Sequence, residues 1–173
     1  MGRTKLVATA LAVLMLMSAS NADAANDTSR ARAATARFHD LSSANAAGYG
    51  GPLEDLQKIT CITNPGVGVM GIHYVNGGLV GDAVLDAATP EVLVYQPLPN
   101  GKLRLVAAEY VVFQGTWWAA GNTAPPTLFG QPMIAVPATN RYGLPPFFEI
   151  HAWIWMNNPA GMFKDWNPSG SCS

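Results

Sequence analysis

The chain has 173 residues, a formal net charge of −1 at pH 7 and only 12% charged residues. A chain of this length can form one domain that buries a sizeable core. Because the charge is close to zero and no basic stripe runs along the sequence, nucleic acid is not an expected partner.

The N-terminal segment has the form of a cleaved secretory signal. A short basic start is followed by an apolar run over 6–17 and by an A-x-A sequence at 22–24. The run is too short to span a bilayer, and no second long apolar run follows. We expect a signal peptide over 1–24, a single β-rich domain over 25–173, and a mature protein that is secreted or periplasmic without a membrane span. A retained membrane anchor is the alternative.

The first element of the mature chain is a predicted helix over about 28–47. Asp27 or Thr28 can serve as N-cap, apolar residues recur at helical spacing, and Gly48 can serve as C-cap. The apolar stripe contains only two large side chains. We therefore expect this helix to pack on a sheet.

Beyond residue 50 the chain changes to short runs of apolar and β-branched residues, separated by turn residues. Asn100-Gly101 lies between two of these runs and predicts the tip of a hairpin. The proline-rich segments 115–132 and 137–146 are predicted to be loops, because proline disfavours helix. The runs predict six strands, at 59–62, 69–75, 91–96, 102–113, 133–136 and 147–156.

This succession of short strands predicts a mainly β (α+β) fold with one N-terminal helix. The strands would form a small antiparallel barrel or a curled sheet. In outline such a barrel resembles cupins and calycins. The first cupin motif has paired histidines, however, and Ile72-His73-Tyr74 has only one.

The two cysteines, Cys61 and Cys172, both follow the predicted cleavage site. An oxidising compartment favours a disulfide between them. This bond would tie the C-terminal tail to an early strand. Free or metal-binding thiols are the alternative.

Three polar residues stand inside predicted strands and are of metal-ligand types. His73 and His151 lie mid-strand, and Glu109 interrupts a long apolar run. If the strands curl, the three side chains can converge on the interior. Two imidazoles and a carboxylate are a ligand set for Zn, Cu, Fe or Mn that leaves coordination positions open. Glu149 shares a face with His151 by the two-residue period and is a further ligand or a partner of one.

The same residues also allow an interpretation without metal. His73 and His151 would then be hydrogen-bonded core histidines, and Glu109 would form a buried ion pair with Arg104 or Arg141. A metal-free role in catalysis or ligand contact is a third interpretation. No catalytic residue is assigned, because no nucleophile motif accompanies these groups.

Aromatic residues are concentrated in the C-terminal part of the chain. Most are expected to pack in the core and loops, but aromatic-lined sites also bind small ligands. Trp117, Trp118, Trp153 and Tyr142 are the candidate contacts. Trp117-Trp118 stands out because adjacent residues cannot easily both be buried.

Three segments resemble a family of small secreted bacterial proteins of unassigned activity. They are GIHYVN (71–76), NRYGLPPFFEIHAWIWMNNPAGMF (140–163) and DWNPSGSC (165–172), and the likeness extends from about residue 33 onward. The resemblance implies bacterial export and a single domain, and it brings no catalytic residue.

The sequence therefore predicts an exported metal-binding protein that could act as a metal-dependent enzyme on a small molecule. One alternative is a metal-free binding module for an apolar or aromatic ligand. Another is an envelope-associated protein that uses exposed aromatic residues for interaction. A small-molecule ligand is the expected partner, and the sequence does not determine the oligomeric state.

Overall fold

The computed structural model describes residues 23–173. The predicted signal peptide lies outside these residues except for its last two positions, so it stays a prediction. Within the described range, no helix has both the length and the apolar character that crossing a membrane requires.

The N-terminal helical region has a break that the sequence analysis did not predict. It consists of α1 over 23–35, a 3₁₀ turn at Ala36–His39, and α2 at Leu41–Ala46. Asp40 adopts an extended backbone, and its side chain accepts a hydrogen bond from the backbone N–H of Ser42. Asp40 thus caps α2 and separates it from the 3₁₀ turn. The single helix expected over about 28–47 is interrupted over residues 36–40.

The described residues contain nine strands. They are β1 (Tyr49–Gly50), β2 (Cys61–Asn64), β3 (Gly68–Asn76), β4 (Val92–Pro97), β5 (Leu103–Phe113), β6 (Thr127–Leu128), β7 (Gln131–Pro132), β8 (Ile134–Val136) and β9 (Phe147–Ala152).

Seven of these strands form one antiparallel sheet, in the order β1-β3-β4-β5-β9-β8, with β2 pairing beside β1 along β3. The predicted hairpin is confirmed at the β4–β5 connection. There Leu98 and Lys102 are hydrogen-bonded, and Gly101 has a φ of 77°. A positive φ of this size is favourable for glycine, which explains the Asn-Gly tip.

The sheet is curled and does not close into a barrel. In the described part of the chain, β8 at one edge has no pairing with β1 or β2 at the other. The mainly β fold with a curled sheet is therefore confirmed, and the barrel alternative is wrong.

One further helix, α3 (Gln114–Ala119), lies in a segment predicted to be a loop. The prediction failed because it applied the proline argument to the whole segment. The first proline after Phe113 is Pro125, beyond the end of α3, so no proline opposes these six residues.

The sheet has two different faces. The face with Leu93, Tyr95 and Tyr110 packs against the N-terminal helices through Ala31 and Phe38. The opposite face is rich in valine and carries the polar residues of the candidate site. It forms a third core cluster with Val92, Val94, Val106, Ala107, Val111, Phe147 and Trp153.

Cys61 and Cys172 form the predicted disulfide, with their Cα atoms 5.8 Å apart. The bond attaches the C-terminal tail to β2, and backbone pairing between Val69 and Asn167 holds the same tail against β3. The tail therefore lies along the sheet edge near the valine-rich face.

Candidate metal centre

The predicted ligands come from three strands of the sheet. His73 is on β3, Glu109 on β5 and His151 on β9. Glu109 is directly opposite His151 in the β5–β9 register. On the intervening strand β4, Val94 pairs with His73 and Val92 pairs with Glu109. Because side chains alternate between faces, this register places all three on the valine-rich face. Their convergence confirms the geometric part of the prediction.

The side chains are close enough to share one ion. His73 Nε2 lies 3.5 Å from Glu109 Oε2, and His151 Nδ1 lies 3.7 Å from Glu109 Oε1. One donor atom from each of the three residues lies within 4.8 Å of the other two. Donors that bind a tetrahedral ion at about 2.1 Å lie about 3.4 Å from one another. The buried His/Glu/His cluster can therefore hold a metal ion after small side-chain adjustments.

In the part of the chain that the structure describes, the imidazole nitrogens of the site are buried without hydrogen bonds. Both ring nitrogens of His73 and of His151 have no partner at hydrogen-bond geometry among residues 23–173. Leaving a buried polar atom unpaired costs about 1–3 kcal/mol. Coordination of a metal would satisfy one nitrogen of each ring.

The interpretation without metal is wrong in the ion pairs that it predicts for Glu109. Arg141 is hydrogen-bonded to Asp55 at 2.9 Å, and Arg104 contacts the sulfur of Met156. Glu109 is 4% exposed and has the two histidines and Glu149 as its polar neighbours. Within residues 23–173, the carboxylate inside the apolar run thus faces other site residues and no arginine.

Burial suppresses charge on the imidazoles. It lowers the pKa of His73 to about 4, with a smaller contribution from the positive charge of Arg141. It also lowers the pKa of His151 well below its usual range. Both rings are therefore neutral at pH 7, which is the form of histidine that binds metals.

The two glutamates of the site interact with each other. Burial raises the pKa of Glu109 well above its usual range, and the neighbouring charge of Glu149 raises it further. Burial also raises the pKa of Glu149 to about 7, although its hydrogen bond from Glu109 opposes that change. Glu149 thus interacts directly with Glu109, whereas the sequence had associated it with His151.

A cavity of about 50 Å³ lies beside the triad. His73, Glu109 and Tyr142 line it together with apolar side chains, among them Val80 and Val111. Tyr142 packs edge-on against His73, with ring centroids 6.2 Å apart. Its hydroxyl is buried and unpaired within the described part of the chain, and burial raises its pKa, so it stays protonated.

The four candidate aromatic contacts separate into two groups. Trp153 stacks on His151 at 6.1 Å between centroids, so it lies beside the triad as Tyr142 does. Trp117 and Trp118 are on α3, and Trp118 packs on Phe148 of the opposite sheet face. The tryptophan pair is therefore remote from the cavity, although Trp118 is 41% exposed as its adjacency to Trp117 implied.

Two acidic residues near the triad were missed by the sequence analysis. Asp165 has a buried Oδ1 atom without a hydrogen-bond partner in the described chain, and its charge raises the pKa values of both site glutamates. Glu91 is 1% exposed and stands immediately before β4. The signal that marked Glu109, a carboxylate that interrupts an apolar run, was absent at Glu91 because that residue precedes its run.

Comparison of the chain with protein-family models, with curated proteins and with solved structures found no match. The resemblance to small secreted bacterial proteins therefore stays a prediction.

Proposed function

We propose that this is an exported protein that binds one divalent transition-metal ion through His73, Glu109 and His151. The observation that carries the proposal is the convergence of three buried ligand groups whose imidazole nitrogens have no other partner in residues 23–173. The disulfide supports an oxidising compartment, and we propose secretion or export to the periplasm on that basis.

The donor set narrows the choice of metal. Two imidazoles and one carboxylate are found at catalytic zinc sites and at non-haem iron sites, and they also suit copper and manganese. Three protein ligands leave at least one coordination position open. A metal bound here would supply Lewis acidity or an activated water to a small molecule.

The surrounding residues would adapt the site to that role. With metal on Glu109, the proton between the two glutamates would lie on Glu149, which would then donate to the Glu109 carboxylate and orient it, since hydrogen bonds to ligands fix their direction. Trp153 would limit the rotation of the His151 ring by stacking on it. The apolar cavity would keep bulk water away from the open position.

Elemental analysis of the mature protein, purified from an exporting host, tests this proposal. We expect about one equivalent of a transition metal in the wild type, and its loss in His73→Ala and in His151→Ala. His39→Ala is the matched control, because His39 is exposed on the helical face of the domain. Wild-type protein that binds no metal after incubation with Zn²⁺, Cu²⁺, Fe²⁺ and Mn²⁺ would contradict the proposal.

A metal-free binding module is the second candidate function, and the apolar lining of the cavity favours it. It predicts that a small apolar ligand changes the fluorescence of Trp153, which lies beside the triad, whether or not a chelator is present. The metal proposal predicts that the chelator abolishes the response.

A further inference from the structure

The cavity beside the triad has one polar end and one apolar end. His73 and Glu109 form the polar end with Tyr142. The rest of the wall is mainly hydrocarbon, including Val75, Val80, Val92, Val111, Phe113 and Phe147. A molecule that fills this space needs a compact polar head and an apolar tail.

The polar end favours a ligand whose head group accepts hydrogen bonds and does not donate them. A metal ion takes a lone pair, and the Tyr142 hydroxyl is a buried donor without a partner in residues 23–173. A carboxylate has two acceptor oxygens, one for each of these groups. A neutral amide of the same shape would present an N–H group to one of them.

The volume limits the tail. A cavity of about 150 Å³ can hold benzene, with its six heavy atoms. The cavity here is about 50 Å³, so by proportion it takes about two heavy atoms. With the carboxylate head between the metal and Tyr142, this space is left for the tail. The one tail carbon of acetate fits, the two of propionate are at the limit, and an aromatic ring exceeds it.

We propose that the cavity binds a short-chain carboxylate, with one oxygen on the metal, the other accepting from Tyr142 and the alkyl group against the valines. This inference rests on the proposed metal site and adds its ligand class. The head would displace water from the open coordination position, and the tail would occupy the part of the cavity near Val80.

Titration of the cobalt-loaded protein tests metal binding and carboxylate binding separately. Co²⁺ in a site of nitrogen and oxygen donors has visible absorption that changes when its ligands change. We expect a band on loading the wild type, followed by a saturable change with acetate. Propionate should bind up to about fourfold more tightly than acetate for the added methylene. Acetamide and benzoate should cause no change below tenfold higher concentrations.

Two variants locate the carboxylate. Tyr142→Phe should weaken acetate binding by roughly tenfold while the band before addition stays the same, since one hydrogen bond to a charged group is lost. Val80→Phe should fill the tail region and weaken propionate binding at least tenfold, with little effect on formate. Val84→Phe is the matched control, because Val84 is in the same connection between β3 and β4 but is 59% exposed.

The possible results distinguish failure of carboxylate binding from failure of the proposed metal site. Absence of any cobalt band in folded wild-type protein would overturn the metal site, and the carboxylate with it. A band that acetate and propionate leave unchanged would overturn the carboxylate alone. Equal binding of acetamide and acetate, or equal loss in Val80→Phe and Val84→Phe, would also overturn it.

Discussion

Replacement of Glu91 by glutamine should remove a pH-dependent loss of stability. Glu91 is 1% exposed, and its Oε2 accepts a hydrogen bond from the backbone N–H of Val111. Burial raises its pKa from 4.5 to about 8, and the nearby charges of Asp82 and Asp86 add to this effect. Glutamine keeps the acceptor for Val111 but carries no charge.

The sign of the effect follows from the raised pKa. The folded state holds the Glu91 proton more tightly than the unfolded state does, so stability is unaffected below pH 4.5 and falls as the pH rises to about 8. Each pH unit in this window costs at most about 1.4 kcal/mol. Relative to Glu91→Gln, we expect the wild type to lose a total of about 3–5 kcal/mol of unfolding free energy, and this loss is complete above pH 8.

Urea unfolding between pH 4.5 and 8.5 measures this difference. Metal is removed from all samples, because metal binding itself depends on pH. Other titrating groups are common to both proteins, so the difference between the two curves isolates Glu91. Glu54→Gln is the control, since Glu54 is on the surface beside Lys58, and it should follow the wild type. Parallel curves for Glu91→Gln and the wild type would refute the reasoning.

Three further changes test other parts of the structure. Replacing Cys61 and Cys172 together by serine should lower the free energy of unfolding in urea by about 5 kcal/mol, because their bond closes a loop of 111 residues. A loss below about 1 kcal/mol would contradict the chain-entropy argument. Gly71→Ala should cost about 2–4 kcal/mol of stability and weaken the proposed metal binding at His73, since a Cβ would lie 2.8 Å from the carbonyl oxygen of Tyr95. Thermal unfolding and calorimetric titration with zinc measure the two effects, and wild-type values would refute them. Tyr95→Phe should cost about 1–2 kcal/mol in the same unfolding assay, because it removes the buried hydrogen bond to the carbonyl oxygen of Phe38; an unchanged midpoint would show that this bond contributes nothing.

Local sequence patterns predicted most of the sheet. Runs of apolar and β-branched residues placed β3, β4 and β5 within one residue of their observed bounds. The apolar run of β5 also identified Glu109 as a polar residue inside a strand. These features depend on neighbouring residues in the chain, which is why a single sequence reveals them.

Signals that compete over short distances were harder to predict. α1 ends at residue 35 and the capping aspartate Asp40 begins a new helix, although the apolar stripe continues through both. The helix α3 forms where prolines later in the segment seemed to forbid it. In both places the decisive interaction involves one or two residues within a longer pattern that indicates something else.

The sequence by itself determined that His73, Glu109 and His151 would each lie inside a strand and that Cys61 and Cys172 could pair. Only the tertiary structure decided that the three candidate ligands meet, because strand order and register are long-range properties. It also placed Tyr142 beside His73 and left Trp117 and Trp118 on the other side of the sheet. Loop residues carry no periodic signal of their position, so their place beside the cavity follows from the packing of the whole domain.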